Sequence, residues 1–510
     1  MTSVDIDMAE RERPFPPGDY PVVVVGSGPG GLQASYYLKH LGIEHSVISA
    51  DPSAGGMFRR FPFFQRLLSW TKPYAPVPRH ERFYEWFDWN SLLAEEPENR
   101  AIMPTLMDGT SSFPSRPEME RNLATFVEKT GLRVRYDCRW ESTRRDGERF
   151  VLQTSDGEFR CKVAIFAVGI AEPYTPDTPG FDLSAHYADT RSPDYYAGKR
   201  LFIAGKENSG FELATGLLQW AQRIVLCSPR PAKLSVNTHS LLGVRARYVL
   251  PIEDQILGGG VFMLNASITR IERMGSGYRV LCVRSEGVAE LAVDVDEVIA
   301  ATGFTCPLLD LPDLGVAAFG RSQLPSMTNH WESATVPGIY FAGTIGQGVS
   351  GMKKYGLPAN SGAVHGARYN ARTMVFHVAE KHFGVVRSHP VVEPASLVDV
   401  LLGAATSAPE LWNQKSYLAR AFSLDASEGI RDHGIVPLAD FVDTEGAAAV
   451  AIAVETDDNG DIHPAVYIRD QGRPAVETLL SSHPLHDFRT SENRAHLGSI
   501  LHGVTAGAVR

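Results

Sequence analysis

The sequence predicts an α/β protein built from two Rossmann-like domains, one inserted in the other, followed by a C-terminal α+β appendage. Three observations predict this. A β-branched run, Pro21-Val-Val-Val-Val25, opens directly onto the glycine turn Gly26-Ser27-Gly28-Pro29-Gly30-Gly31 and an apolar helical stretch. The same order recurs at Arg200–Ala204, Gly205–Gly210 and Phe211–Gln222. Residues 386–510 follow neither pattern.

Taken in order, residues 1–19 are charged and Pro-rich and read as a flexible N-terminal arm. Leu32–Leu41 reads as a helix ended by Gly42, and His45–Ser49 as the second strand of a βαβ unit. Ser115–Thr130 is a helix opened by a Ser115-x-x-Glu118 capping box, and Leu132–Tyr136 a strand. Phe150–Val168 holds two strand-like runs about Asp156-Gly157, a hairpin signal. Ala171–Pro179 is a Pro-rich hinge, and a second crossing follows the strand Glu297–Ala301. The first domain is therefore 20–170 with 306–385, and the inserted domain is 171–305. In the appendage, Pro394–Leu402 and Pro409–Phe422 read as helices. Ala448–Glu455 and Ala465–Arg469 flank Asp457-Asp-Asn-Gly460, a second hairpin signal. The appendage carries no legible ligand chemistry and is read as structural or oligomer-forming.

Composition excludes several classes. The 510 residues suffice for about three domains. The 44% apolar and 21% charged content is that of an ordinary globular chain. A net charge of −10 argues against nucleic-acid binding. No apolar run approaches the ~20 residues of a membrane span, and the N-terminus lacks a signal-peptide core, so a cytoplasmic home is expected. The five cysteines (138, 161, 227, 282 and 306) form no CxxC, which speaks against a disulfide framework, a zinc ribbon and a dithiol redox centre. The 16 histidines form no HExxH and no close cluster, so no metal site is expected.

The turns have a chemical reading. In the first, Gly26 permits the tight turn, Gly28 lets a pyrophosphate approach the backbone, and Gly31 permits close helix–strand contact. The helix that starts at Pro29-Gly30 offers amides and a positive dipole end. In the second, Gly205 and Gly210 hold the outer places but Glu207 holds the middle one. A carboxylate there disfavours a diphosphate unless its side chain is turned away. Past the next strand, Arg230 can pair with a 2′-phosphate, and no acid stands there to hold a free 2′-hydroxyl, which favours NADPH.

A resemblance then becomes specific. The first turn followed by Gly55-Gly56-Met57-Phe58, the crossings Ala167-Val168-Gly169 and Ala301-Thr302-Gly303-Phe304, Asn208-Ser209-Gly210-Phe-Glu-Leu-Ala214, and Pro337–Gly343-Thr344 occur in the order, and over the span 20–385, of the class B flavoprotein monooxygenases. The chain resembles that family of flavin-containing, Baeyer–Villiger and N-hydroxylating enzymes. The resemblance implies FAD on the first turn, with Ser49 or Asp51 taking the adenosine ribose. Val134, Gln65, Trp70, Thr71, Gly55–Phe58, Ala167–Gly169, Gly343, Thr344, Asn360 and Ser361 complete the implied flavin set. NADPH falls to Gly205, Lys206, Asn208, Ser209, Gly210, Arg230 and Ala301–Gly303. Thr344 replaces the family's late Asp. Trp70 either stacks near the flavin or is core. Lys72 is either a catalytic donor to oxygenated flavin or nicotinamide, or solvated. The glycine-dense stretch Ile345–Tyr355 leads to a helix start at Pro358–Ala363 that aims amides at the flavin, while His365 reads as a packed histidine. Against the Baeyer–Villiger fingerprint, Phe181 and His186 stand one residue too close and Thr190 replaces the aromatic. Asp296–Phe304 fits the N-hydroxylase signature better.

The expected function is an FAD-, NADPH- and O2-dependent monooxygenase. It would form a C4a-(hydro)peroxyflavin and oxygenate a small nucleophile, preferably hydroxylating an amine nitrogen. The alternatives are an NAD(P)H-dependent acceptor reductase without a dithiol centre, and a redox-sensing scaffold that uses 386–510 as an interaction module.

Overall fold

The computed structural model describes residues 13–238, 243–285, 287, 289–349, 359–425, 429–457, 459–470 and 474–508. Residues 1–12 of the N-terminal arm, Ser350–Tyr355 of the glycine-dense stretch, Pro358 of the helix start and Asp458 of the second hairpin turn lie outside them. The chain divides into two compact units, one of Met1–Arg59, Ser69–Gly169 and Leu308–Arg510, the other of Arg60–Leu68 and Ile170–Pro307.

The first unit is built on a four-stranded parallel sheet, Ile339–Phe341, Val163–Phe166, Val22–Val25 and His45–Ile48 in spatial order. Most of these residues are buried, as expected of strands covered on both faces. Helices Pro29–His40 and Val364–Phe383 meet through Tyr37 and Phe376, ring centroids 5.6 Å apart. The helix Arg116–Lys129 starts with the expected capping box, Ser115 and Glu118 bonding each other's backbone amides. The Asp156-Gly157 hairpin also forms, between Arg149–Thr154 and Gly157–Cys161. Beyond residue 386 lies a six-stranded sheet of antiparallel pairs. It includes the expected hairpin of Ala449–Thr456 and Ile462–Arg469.

Three expectations need correction here. Residues 13–19 are not a free arm: Gly18–Asp19 pairs with Phe159 and Arg160, and Arg13 bonds the Tyr136 carbonyl and Asp156. Leu132–Tyr136 makes only a single bridge, Arg135 to Ile48, rather than a strand. The helix expected over Pro409–Phe422 stops at Asn413, and Leu418–Asp425 is a strand paired on both sides. Ser416, at φ +57°, breaks the helical path between them.

The second unit holds a seven-stranded sheet in which Arg200–Ala204, Arg223–Ser228, Val261–Met274, Glu297–Ala300 and Ala185–His186 are joined by parallel pairings. Helix Asn208–Leu217 starts three residues before, and ends five before, the limits expected for it. The two crossings bond each other: Phe304–Thr305 pairs with Glu172–Pro173, and Thr302 Oγ1 donates to the Tyr174 carbonyl. Among the described residues no helix is long and apolar enough to cross a membrane, and no group of His, Cys, Asp and Glu is arranged to hold a metal ion.

Candidate functional site

In the first unit the glycines converge. A Cβ on Gly26 would stand 2.5 Å from the Ala167 oxygen, one on Gly31 1.9 Å from the Gly26 oxygen, and one on Gly30 2.4 Å from the Gly343 nitrogen. Gly28 and Gly56 face each other, a Cβ on Gly56 falling 3.1 Å from the Gly28 Cα. Helical bonding begins with Leu32 N–H to Gly28 O, and among the described residues no side chain caps the start, which leaves the amides of Gly30 and Gly31 as spare donors there. Gly169 brings Thr344 and Met57 together: a Cβ there would lie 3.6 Å from Thr344 Oγ1 and 3.9 Å from Met57 Sδ. Phe58 follows in the short helix Gly56–Arg59, and Gly55 N–H donates to Ser27 O at 3.1 Å. Val168 sits half-buried between Ala167 and Gly169.

At the end of the second strand the structure separates the two ribose candidates. Ser49 is buried, its hydroxyl accepting from Ser27 Oγ at 2.8 Å and from the Asp51 amide at 3.2 Å. That leaves Asp51, half-buried and 3.9 Å from Arg59, as the accessible acid. Val134 is buried, one residue before the Arg135–Ile48 bridge. Ser27 and Arg59 had no signal of their own, because their roles depend on partners across the turn.

A wall continues from Thr344. Gly362 abuts Gln347, and Asn360–Gly362 leads into helix Val364–Phe383. His365, in its first turn, stacks on Trp89 at 4.1 Å, and Trp89 meets Trp70 at 4.7 Å. Lys72 Nζ lies 5.5 Å from the Trp70 ring and 5.8 Å from the Phe87 ring, on an exposed side chain. Trp89 was missed because it stands in no motif. Two flavin candidates on this wall have side chains already engaged within the protein. Thr71 is fully buried, donating to Asp88 and accepting from Asn90. Ser361 is buried and accepts from Asn370 and Gln414. Asn360 is half-buried, its carbonyl accepting the Ala363 amide.

The second unit repeats the turn. A Cβ on Gly205 would lie 2.2 Å from the Ala301 oxygen, and one on Gly210 2.4 Å from the Gly205 oxygen. Glu207 is exposed, and Asn208 and Ser209 open the helix. Asn208 Oδ1 accepts the Arg245 amide at 3.0 Å. Arg230 is exposed beyond the next strand and makes no ion pair among the described residues. Lys206 corrects an expectation. Its ammonium is buried and donates to the Leu264 carbonyl and Asn265 Oδ1, so it faces the sheet rather than a phosphate. Burial pulls its pKa down. Gln65, exposed at φ +69°, lies in the second unit, apart in sequence grouping from the other flavin candidates. Asp296 of the N-hydroxylase-like signature holds Arg200 in a two-pronged ion pair, which lowers its carboxyl to about 2. It organises the strand start.

The first cradle suits a flavin dinucleotide: spare amides for a diphosphate, an acid at the strand end, and a glycine-lined floor that side chains would fill. A family model described as pyridine nucleotide-disulphide oxidoreductase matches residues 23–343. FAD-dependent oxidoreductase domain-containing protein 2 of Mus musculus is 25% identical over 452 residues, covering 82% of this chain and 66% of its own. Ferredoxin–NADP reductase of Thermus thermophilus is 23% identical over 330 residues, 64% of this chain and 84% of its own. A solved flavin-containing monooxygenase from Stenotrophomonas maltophilia shares the fold, with TM-score 0.54 and 20% identity over 71% of this chain and 99% of its own. The class B resemblance is consistent with these findings. The chain spans 66% of the mouse relative's length, and it belongs to the pyridine nucleotide-disulphide oxidoreductase family.

Proposed function

We propose that the protein is an NADPH-dependent monooxygenase that oxygenates a small nucleophilic substrate, with amine N-hydroxylation the preferred branch, and that it works in the cytoplasm. The observation that carries this reading is the stack His365–Trp89–Trp70, with Lys72 over its last ring. A monooxygenase must keep water from its reactive flavin, and indoles stacked on His365, at the start of the helix that follows Asn360–Gly362, would serve that purpose. FAD, when bound, supplies the hydride-accepting and oxygen-activating centre. The chain's own work is positional. Gly30 and Gly31 amides hold the diphosphate, Asp51 bonds the ribose, and Thr344 offers an uncharged hydroxyl where the family uses Asp. Arg230 pairs with the NADPH 2′-phosphate, and Lys72 donates a hydrogen bond at the reacting face. All five cysteines are buried, which supports chemistry that needs no dithiol at the flavin.

The ferredoxin–NADP reductase relative favours a second reading, an NADPH-dependent acceptor reductase. Quantifying oxygenated product per NADPH consumed, over a panel of small amines, sulfides and ketones in air, separates the two. The monooxygenase gives product in near-stoichiometric yield with one amine. Hydrogen peroxide alone, with rapid anaerobic reduction of an added acceptor, establishes the reductase.

A further inference from the structure

By chain order, residues 60–68 join the flavin motif Gly55–Phe58 to Trp70–Lys72, yet they belong to the second unit. They are seated there at several points. The Phe64 N–H donates to Glu212 Oε1 at 3.1 Å. The Phe64 ring lies over Gly216, where a Cβ would fall 2.3 Å from the ring. The Leu67 carbonyl accepts from Arg247 Nη1 at 2.8 Å. Phe61 in turn stacks on Tyr187 at 5.2 Å, and the Tyr187 hydroxyl donates to the second oxygen of Glu212.

Glu212 and Gly216 are four residues apart on helix Asn208–Leu217, hence on one face. Gly216 has no positive φ, so the backbone does not demand glycine there. Glycine is also a poor residue inside a helix. The space it leaves is the space Phe64 fills. Glu212 is a buried carboxylate, and burial raises its pKa. The titratable groups facing it are Tyr187 and Tyr248, with Arg247 and, beyond that, Arg66. The N-terminus of this helix, with Ser209 and Gly210, is the pyridine-nucleotide turn; Glu212 lies one turn further on.

We propose that Glu212 and Gly216 form a socket for Phe64 on the nucleotide-binding helix, and that this socket couples pyridine-nucleotide binding to the chain flanking the flavin. Both are positioning residues. The inference rests on the two-cofactor assignment alone and is independent of what the reduced flavin later does.

The test uses the full-length, FAD-loaded protein and two readouts. Hydrogen–deuterium exchange of residues 60–68, with and without NADP+, reports seating directly. Anaerobic reduction by NADPH reports hydride transfer. In the wild type, NADP+ slows exchange in 60–68. Gly216→Ala, which favours the helix but evicts Phe64, speeds that exchange about tenfold and abolishes its response to NADP+. The same variant lowers the limiting reduction rate about 10- to 100-fold, with FAD content and NADPH KM unchanged. Glu212→Gln keeps an acceptor oxygen for Phe64 and preserves both readouts. Wild-type exchange and reduction in Gly216→Ala, or a loss confined to KM, overturns the coupling.

Discussion

The turns Gly26–Gly31 and Gly205–Gly210 close on their sheets in the same way and differ at one place. At the outer positions the fold itself demands glycine. Gly26 and Gly205 have φ of +114° and +137°, and a Cβ on either would strike the carbonyl of Ala167 or Ala301. Gly31 and Gly210 each crowd the oxygen of their own turn's first glycine. At the middle position the fold makes no such demand. Gly28 (φ −74°, ψ 178°) and Glu207 (φ −105°, ψ −170°) are both extended, a conformation open to any residue. A Cβ on Gly28 would meet nothing nearer than the Gly56 Cα at 3.8 Å. Protein packing therefore explains the outer glycines and leaves Gly28 to be explained by a ligand. One motif carries two kinds of glycine, and only the second turn shows them separated.

The largest expected effects fall on the outer positions. Gly31→Ala and Gly210→Ala force a methyl against a backbone carbonyl that cannot turn aside. Each costs about 3 kcal/mol or more. Differential scanning calorimetry checks this: both variants melt well below the wild type, or fail to yield folded protein. A harmless Gly210→Ala beside a ruinous Gly31→Ala would break the equivalence of the turns.

Transplanting the difference is the next test. Gly28→Glu places in the first turn the residue found in the second. The fold accommodates it, so the FAD-free protein melts like the wild type. FAD affinity falls about 100-fold, equivalent to ~2.7 kcal/mol, because a carboxylate then occupies the approach of the diphosphate. Fluorescence titration with FAD reads this out. Equal loss of stability and affinity would return Gly28 to the fold-required class.

The same distinction explains what was legible beforehand. Val22–Val25 and Arg200–Ala204, each run straight into a glycine turn, announce the two sheets, because local sequence encodes a strand followed by a tight turn. Leu418–Phe422, the end of the helix expected from Pro409, has apolar spacing that suits either period. Pairing on both sides with strands distant in sequence decides it. Ser361 stands where a flavin contact is expected, but its partners Asn370 and Gln414 lie on later elements and no local pattern foretells them. Phe58 and Gln65 are expected to line the flavin, whereas Phe64 between them seats on Gly216, a glycine in the last turn of its helix whose meaning depends on knowing what approaches it.

The smallest effect concerns Glu207. If the two turns bind dinucleotides alike, Glu207→Gly should make the second more like the first. The side chain is exposed, so its field acts through a medium of high dielectric constant. A charge about 4 Å from a phosphate is then worth ~1 kcal/mol in water. NADPH affinity should rise about fivefold on removing it. Because the term is electrostatic and solvent-facing, it should shrink at about 1 M salt, where the Debye length is ~3 Å. Stability should change little, since glycine is acceptable at a helix N-cap. Isothermal titration with NADPH at low and high salt measures both quantities. A salt-independent gain would mean that the carboxylate obstructs by volume rather than charge. An unchanged affinity would mean that Glu207 points away from the diphosphate and that the middle position is vacant of function in this turn. A fall would make the carboxylate a ligand for the nucleotide in its own right, and the resemblance between the turns would then end at their outer glycines.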